Sequence, residues 1–270
     1  MILFPPSKLN IGLQITAKRP DRFHNLQTVF YPFALKDVLE IIEDKDKRRG
    51  ACEFSSSGLP IPEGENLCVK AYKILHKQYD LPAVRIYLHK IIPMGAGLGG
   101  GSSDAAYTLR LLNQLFGLEL SKDTLKEFAL RLGSDCPLFI EDGPQYAQGR
   151  GELLSPVGVN VKGKYLLIVN PQIHIATAEA FANVSPQAAA SCKTWVEKDL
   201  STWKANVVND FECSVFPKYP ELKNTKDKLY AMGADYASMS GSGSTLFGIF
   251  SESIPDTEWP SDYFVWQTVL

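Results

Sequence analysis

The sequence predicts an α+β fold in two lobes. Three observations carry this: short strand-like runs dominate the first hundred residues, amphipathic helices follow, and an apolar strand at Tyr165 restarts the pattern after a loop. Strands and helices come in runs, without the regular alternation of a doubly wound sheet. A chain of 270 residues with 45% hydrophobic residues can bury the cores that two lobes need.

Taken in order, Lys8 to Ile15, Gln27 to Phe33, Asp37 to Ile42 and Ala83 to Ile91 are β-branched or alternating runs; Val84, Ile86 and Leu88 share one face of the last. Between them, Leu67, Ala71, Ile74, Leu75 and Gln78 recur at helical spacing, which predicts a helix over Asn66 to Tyr79 with Asn66 as its cap. Ser103 to Phe116 and Ser121 to Leu132 are expected as helices stopped by Gly117 and Gly133. A loop is expected from Glu141 to Pro156, then a strand over Tyr165 to Val169 closed by Asn170-Pro171. Helices are expected around Thr177 to Ala182, Thr202 to Phe216 and Glu221 to Met232, and a strand, glycine turn and strand from Asp235 to Phe250. No repeat or low-complexity tract interrupts this order.

Composition excludes some functions. Lys and Arg number 28 against 30 Asp and Glu, a formal net charge of −2, so the overall balance favours neither nucleic acid nor an anionic membrane surface as a partner. The five cysteines lie far apart and form no CxxC pair, which argues against a disulfide framework or a zinc site. No apolar run approaches the roughly 18 residues of a membrane span. Met1 to Pro6 is too short and too proline-broken for a signal peptide, so a cytoplasmic protein is expected.

The chemistry centres on Pro93-Met94-Gly95-Ala96-Gly97-Leu98-Gly99-Gly100-Gly101-Ser102-Ser103, between a predicted strand and a predicted helix. Five glycines in seven residues let backbone N–H groups approach a ligand closely, and the helix N-terminus adds its positive dipole end. A phosphate is the natural guest, with Ser102 and Ser103 offering hydroxyl contacts to phosphate or magnesium. Gly95, Gly97 and Gly100 also fit a GxGxxG dinucleotide fingerprint, but that motif belongs in a first βαβ unit with a ribose-binding acid on the next strand. Here helix follows helix, and no lysine follows the last glycine as the Walker A motif requires.

With two further segments, Pro6-Ser7-Lys8-Leu9-Asn10-Ile11-Gly12-Leu13 and Met239-Ser240-Gly241-Ser242-Gly243-Ser244-Thr245-Leu246-Phe247, the loop resembles the GHMP superfamily of small-molecule kinases. Lys8-Leu9-Asn10, the run from Arg19 to Thr28, the triple glycine before Ser102, Gly133-Ser134-Asp135-Cys136-Pro137 and Gly149-Arg150-Gly151-Glu152 resemble, within it, the 4-diphosphocytidyl-2-C-methyl-D-erythritol kinases. The resemblance implies transfer of the ATP γ-phosphoryl group to the 2-hydroxyl of the methylerythritol moiety, at an active site between the lobes. It implies an N-terminal GHMP kinase domain over 1–156, carrying the ATP loop and the catalytic Lys and Asp, and a C-terminal domain over 157–270 on the substrate side. The expected partners are ATP and a cytidine diphosphate substrate, with neither nucleic acid nor membrane, and the chain is expected as a monomer or weak homodimer.

The resemblance also distributes roles. Asp135 is the candidate general base, although an aspartate before a proline more often caps a helix. Lys8 is its candidate cationic partner, and Asn10 orients the acceptor. His24 would meet the cytosine edge while Phe23 and Phe181 sandwich the ring. Thr177, Ser240, Gly241 and Ser242 are expected on the substrate, and Asn66 on adenine, with helix capping as its local alternative. Asp210 is expected to be structural. Magnesium is implied by ATP chemistry and is expected to be held mainly through phosphates, because no carboxylate cluster lies near the loop. Phe23 stands where these kinases usually have tyrosine, and in Ile175-Ala176-Thr177 a serine more often precedes the threonine. Another GHMP kinase, acting on mevalonate, homoserine or a sugar, is the nearest rival; a catalytically dead member of the fold would be expected to lack Lys8 or Asp135.

Overall fold

The computed structural model describes residues 1–21, 23–182, 184–186 and 191–270; Arg22 of the Arg19-to-Thr28 motif lies outside the described residues. The chain runs β1 (Ile2–Leu3), β2 (Pro6–Lys18), β3 (His24–Lys36), β4 (Val38–Glu43), β5 (Cys52–Gly58), α1 (Leu67–Tyr79), β6 (Val84–Lys90), α2 (Gly100–Leu115) and α3 (Lys122–Leu130). After a 3-10 turn at Cys136–Ile140 come β7 (Gln145–Gln148), β8 (Leu153–Pro156), β9 (Tyr165–Asn170), α4 (Thr177–Phe181), α5 (Cys192–Val196), α6 (Trp203–Asn206) and α7 (Glu212–Val215). The last elements are α8 (Pro220–Ala231), β10 (Tyr236–Met239), β11 (Leu246–Phe250) and β12 (Phe264–Val269). The α+β class is the one expected.

The chain divides into two compact units, each drawn from distant segments. The first holds Met1–Ser7, Leu35–Met94 and Gly99–Asp142; the second holds Lys8–Ala34, Gly95–Leu98 and Gly143–Leu270. The sequence suggested one cut after residue 156; β2, β3, β7 and β8, which form one sheet ordered β2-β3-β7-β8, all lie before it.

In the first unit the sheet order is β1-β4-β6-β5, with only β5 and β6 parallel. Leu39 pairs with Leu88 and Ile41 with Ile86, so the alternating face of both strands is buried, as are Tyr72 and Leu75 of α1 and Leu109 and Leu112 of α2. Helix α2 starts at Gly100, three residues before the expected Ser103. Gly100 and Gly101 carry no side chains, so helical periodicity has nothing to display there.

In the second unit a further sheet, ordered β10-β11-β9-β12, is antiparallel throughout. Strand β9 is buried on both faces, and Phe211, Leu222, Leu229, Leu246 and Phe250 fill the core beside it. The expected loop from Glu141 to Pro156 contains the hairpin of β7 and β8. The expected helix from Thr202 to Phe216 is two short helices, because the chain between them bonds to β2: Leu13 N–H donates to Val208 O (2.8 Å) and Asp210 N–H to Leu13 O (2.8 Å). Gly12 permits this approach, since a Cβ there would lie 2.9 Å from Val207 Cγ1 and from Cys192 Cβ. Asp210 is structural, as expected: its carboxylate accepts the Ile15 N–H at 2.7 Å.

Candidate active site

The first unit holds Pro93, Met94 and residues 99–103 of the glycine loop. Gly99 occupies the N-cap of α2 in the left-handed conformation, at φ +73°. A Cβ on Gly100 would lie 2.9 Å from both Lys90 Nζ and Ile92 Cγ2, so the helix start packs against β6 only because this residue has no side chain. Ser102 and Ser103 lie in the first turn, where the dipole favours an anion. The Ser103 hydroxyl is buried and has no hydrogen-bond partner.

Asn66 does cap α1: its Oδ1 accepts the Cys68 N–H at 2.8 Å, which leaves the side-chain amide as a donor. Asn66 also lines a cavity of about 220 Å³ with Ile61, Pro62, Leu67, Met94, Gly101 and Asp104, so the expected adenine residue and the end of the phosphate loop face one space.

Asp135 precedes the 3-10 turn at Cys136–Ile140, yet its side chain makes no capping bond to it. The half-buried Asp135 carboxylate is therefore not held by a cap bond to that turn. Burial pushes the neighbouring Cys136 thiol up to about 12, with the Ser102 hydroxyl opposing and the Asp135 charge adding. Ser102 and Asp135 thus flank the same thiol.

The second unit holds the remaining loop residues, 95–98. Gly95 and Gly97 are left-handed, at φ +64° and +77°, while Ala96 and Leu98 are buried. Gly97 is the tightest position: a Cβ there would meet Ser240 O at 2.1 Å. Its carbonyl accepts from Lys8 Nζ (3.0 Å) and from the Ser240 hydroxyl (2.9 Å), and the Lys8 N–H donates to Leu98 O (2.9 Å). Lys8, only 3% exposed, also donates to Asn10 Oδ1 at 2.5 Å, and Asn10 Nδ2 donates to Thr28 Oγ1 at 3.0 Å. Asn10 N–H donates to Ser240 Oγ at 3.1 Å. The motifs around Lys8, Gly97 and Ser240 therefore form one hydrogen-bonded network. Asn10 and Ser240, expected on the substrate, brace Lys8 and the loop here. Gly241, at φ +57°, and Ser242 form the turn between β10 and β11.

His24, at the start of β3, stacks on Phe181 at the end of α4, with ring centroids 4.8 Å apart and planes 14° from parallel. Phe181 is held edge-on by Phe211 at 4.7 Å. The pair opens on a cavity of about 490 Å³ lined also by Lys18, Ala178, Ala182, Val184 and Pro186. Thr177 is exposed at the first position of α4. Phe23 is 54% exposed, and Arg150 lies over its ring at 4.9 Å.

Sequence reasoning missed Lys18, Asp37, Lys90 and Asp104. Lys90 Nζ lies 2.5 Å from Asp37 Oδ2 and 2.7 Å from Asp104 Oδ2, all three fully or nearly buried. One signal was available: Lys90 continues the buried parity of Val84, Ile86 and Leu88. Among the described residues no group of three or more His, Cys, Asp or Glu side chains could hold a metal ion, and no helix is long and apolar enough to cross a membrane.

Residues 66–143 match the model of the GHMP kinases N terminal domain, and residues 188–257 that of the GHMP kinases C terminal domain. The 4-diphosphocytidyl-2-C-methyl-D-erythritol kinase of Bacteroides thetaiotaomicron is 47% identical over 269 residues, 98% of each chain. That of Cytophaga hutchinsonii is 48% identical over 261 residues, 95% of this chain and 94% of the other. A crystal structure of 4-(cytidine 5'-diphospho)-2C-methyl-D-erythritol kinase superposes with a TM-score of 0.78 at 32% identity, covering 92% of this chain and 90% of that one. With identity sustained over the whole length and both family domains in order, the chain belongs to the 4-diphosphocytidyl-2-C-methyl-D-erythritol kinase family of the GHMP kinases.

Proposed function

We propose that the protein transfers the γ-phosphoryl group of ATP to the 2-hydroxyl of 4-diphosphocytidyl-2-C-methyl-D-erythritol, a step of the non-mevalonate isoprenoid precursor route. The observation that carries the choice of acceptor is the cavity beside His24 and Phe181. A cytosine offers a flat face to an aromatic plane and a donor–acceptor edge to an imidazole, whereas mevalonate and homoserine offer neither.

Phosphoryl transfer asks for alignment and charge stabilisation more than for covalent help. The glycine loop supplies backbone donors at a helix N-terminus for the ATP phosphates. Asn66 offers its free amide to adenine in the cavity it lines. Asp135 accepts the proton of the acceptor hydroxyl, and Lys8 is its cationic partner; both roles rest on the motifs shared with the family. The orphaned Ser103 hydroxyl fits a magnesium ion held mainly by phosphate oxygens, with Ser102 or Ser103 as the protein's contribution. That ion would neutralise charge on the β- and γ-oxygens.

An ADP-release assay across acceptors tests the assignment. The diphosphocytidyl substrate should exceed mevalonate and homoserine in kcat/KM by at least about a hundredfold, as a site built around polar and stacking contacts rejects ligands that lack them. Equal or better turnover of mevalonate would overturn it.

A further inference from the structure

The Lys90 cluster lies at both ends of the glycine loop. On the near side, Asp37 Oδ1 accepts the N–H groups of Ile91 (2.6 Å) and Ile92 (2.9 Å), the two residues before Pro93. On the far side, Asp104 is the residue after Ser103 and belongs to α2. Lys90 joins the two carboxylates. The loop therefore leaves and re-enters the first unit at points cross-linked by one buried ammonium. Gly100 presses against that ammonium, so its position also sets where the first turn of α2 can lie.

The cluster is not balanced: two carboxylates face one cation, and Asp104 Oδ1 is buried without a partner. Burial pushes the Asp104 carboxyl up to about 7, the Lys90 ammonium opposing and Asp37 adding. Burial acts against the Lys90 charge as well, but the carboxylates of Asp104 and Asp37 outweigh it and hold its pKa above the ordinary lysine value. Among the described residues Cys68 of α1 also faces Asp104, and burial pushes its thiol up.

We propose that Lys90 is a positioning residue for phosphoryl transfer, holding the two ends of the phosphate loop in register through Asp37 and Asp104. This rests on the reading of the loop as the ATP site. Lys90 acts through the backbone it ties down, so its loss should displace the donors aimed at the phosphates.

Steady-state kinetics of the full chain with each substrate varied in turn, and titration calorimetry with ADP and with a non-hydrolysable ATP analogue, test this. Lys90→Met should raise the nucleotide KM and lower kcat, by about a hundredfold in kcat/KM, while His24-side affinity for the cytidyl substrate stays at the parent value. A folded Lys90→Met protein with parental nucleotide affinity would overturn the positioning role. If Lys90→Met does not fold, Asp37→Asn takes its place in the kinetic comparison with the same criterion. A parent protein that binds nucleotide, with that binding weakened in Lys90→Met, but phosphorylates no diphosphocytidyl substrate would defeat the assigned reaction and leave this inference standing.

Discussion

The cavity at Asn66 and the cavity at His24 solve recognition in opposite ways. Beside the first, the backbone of Gly99 to Gly101, the cap of α1 and the buried cluster of Lys90, Asp37 and Asp104 are already in place, so a nucleotide meets donors that need no rearrangement. Beside the second, the face of Phe181 is covered by the ring of His24. A base between the two would need them about 7 Å apart, two layers of van der Waals contact, and they are 4.8 Å apart. A cytosine therefore exchanges one stacked contact for another. Stacking a base on an aromatic ring is worth about 1–3 kcal/mol, and the ring pair it displaces about 0.5–1.5 kcal/mol, so the acceptor's net gain from this face is modest. With the sites assigned as proposed, the nucleotide side is preorganised and the acceptor side relies on adaptable planes, with Lys18 among the residues lining its cavity.

This contrast predicts that the two recognition functions separate cleanly in variants, while one group serves both. Asp135→Asn should produce the largest change: kcat down by about a thousandfold, within the usual range for a lost general base, with both KM values within a few-fold of the parent. Steady-state kinetics with each substrate varied in turn would check this. Residual kcat within a few-fold of the parent would remove Asp135 from the chemistry.

Phe181→Leu should come next. Leucine keeps much of the packing against Phe211 and loses the aromatic face. The KM for the diphosphocytidyl substrate should rise about three- to tenfold, the net stacking difference above, and the KM for ATP should not move. A larger rise for ATP than for the cytidyl substrate would break the separation of the two cavities.

What could be read from the sequence divides along the same line. The glycine loop, the cap at Asn66 and the alternating core strands announce themselves through residue type and spacing, whereas the roles expected of His24 and Phe181 came from the resemblance to the family. The cluster of Lys90, Asp37 and Asp104 did not, because its members are 53 and 14 residues apart in pairs and only the fold brings their charges together. Lys90 at a buried parity was the one local hint. Likewise, nothing local in Asn10 or Ser240 says that their polar atoms turn inward to Lys8 and Gly97. The break in the expected helix at Val207 to Phe211 followed from pairing with Leu13, a partner almost two hundred residues away. Strands β7 and β8 were hidden in a glycine-rich stretch of only 4 residues each.

The smallest effect gives the finest test of preorganisation on the nucleotide side, because Asn66 has two separable jobs. Its Oδ1 caps α1, and its amide is the donor assigned to adenine. Asn66→Asp keeps the oxygen, and adds a charge that the helix N-terminus favours, but has no amide to donate. Its melting temperature should match or slightly exceed the parent's, while the ATP KM rises about threefold, roughly the net value of one hydrogen bond. Asn66→Ala loses both jobs and should also fall in stability by about 1 kcal/mol. If Asn66→Asp binds ATP as the parent does while Asn66→Ala binds it less well, the residue acts through the helix cap alone. The cavity would then recognise adenine by shape and by the backbone around it, which would make the nucleotide side preorganised in a stricter sense than the amide contact requires.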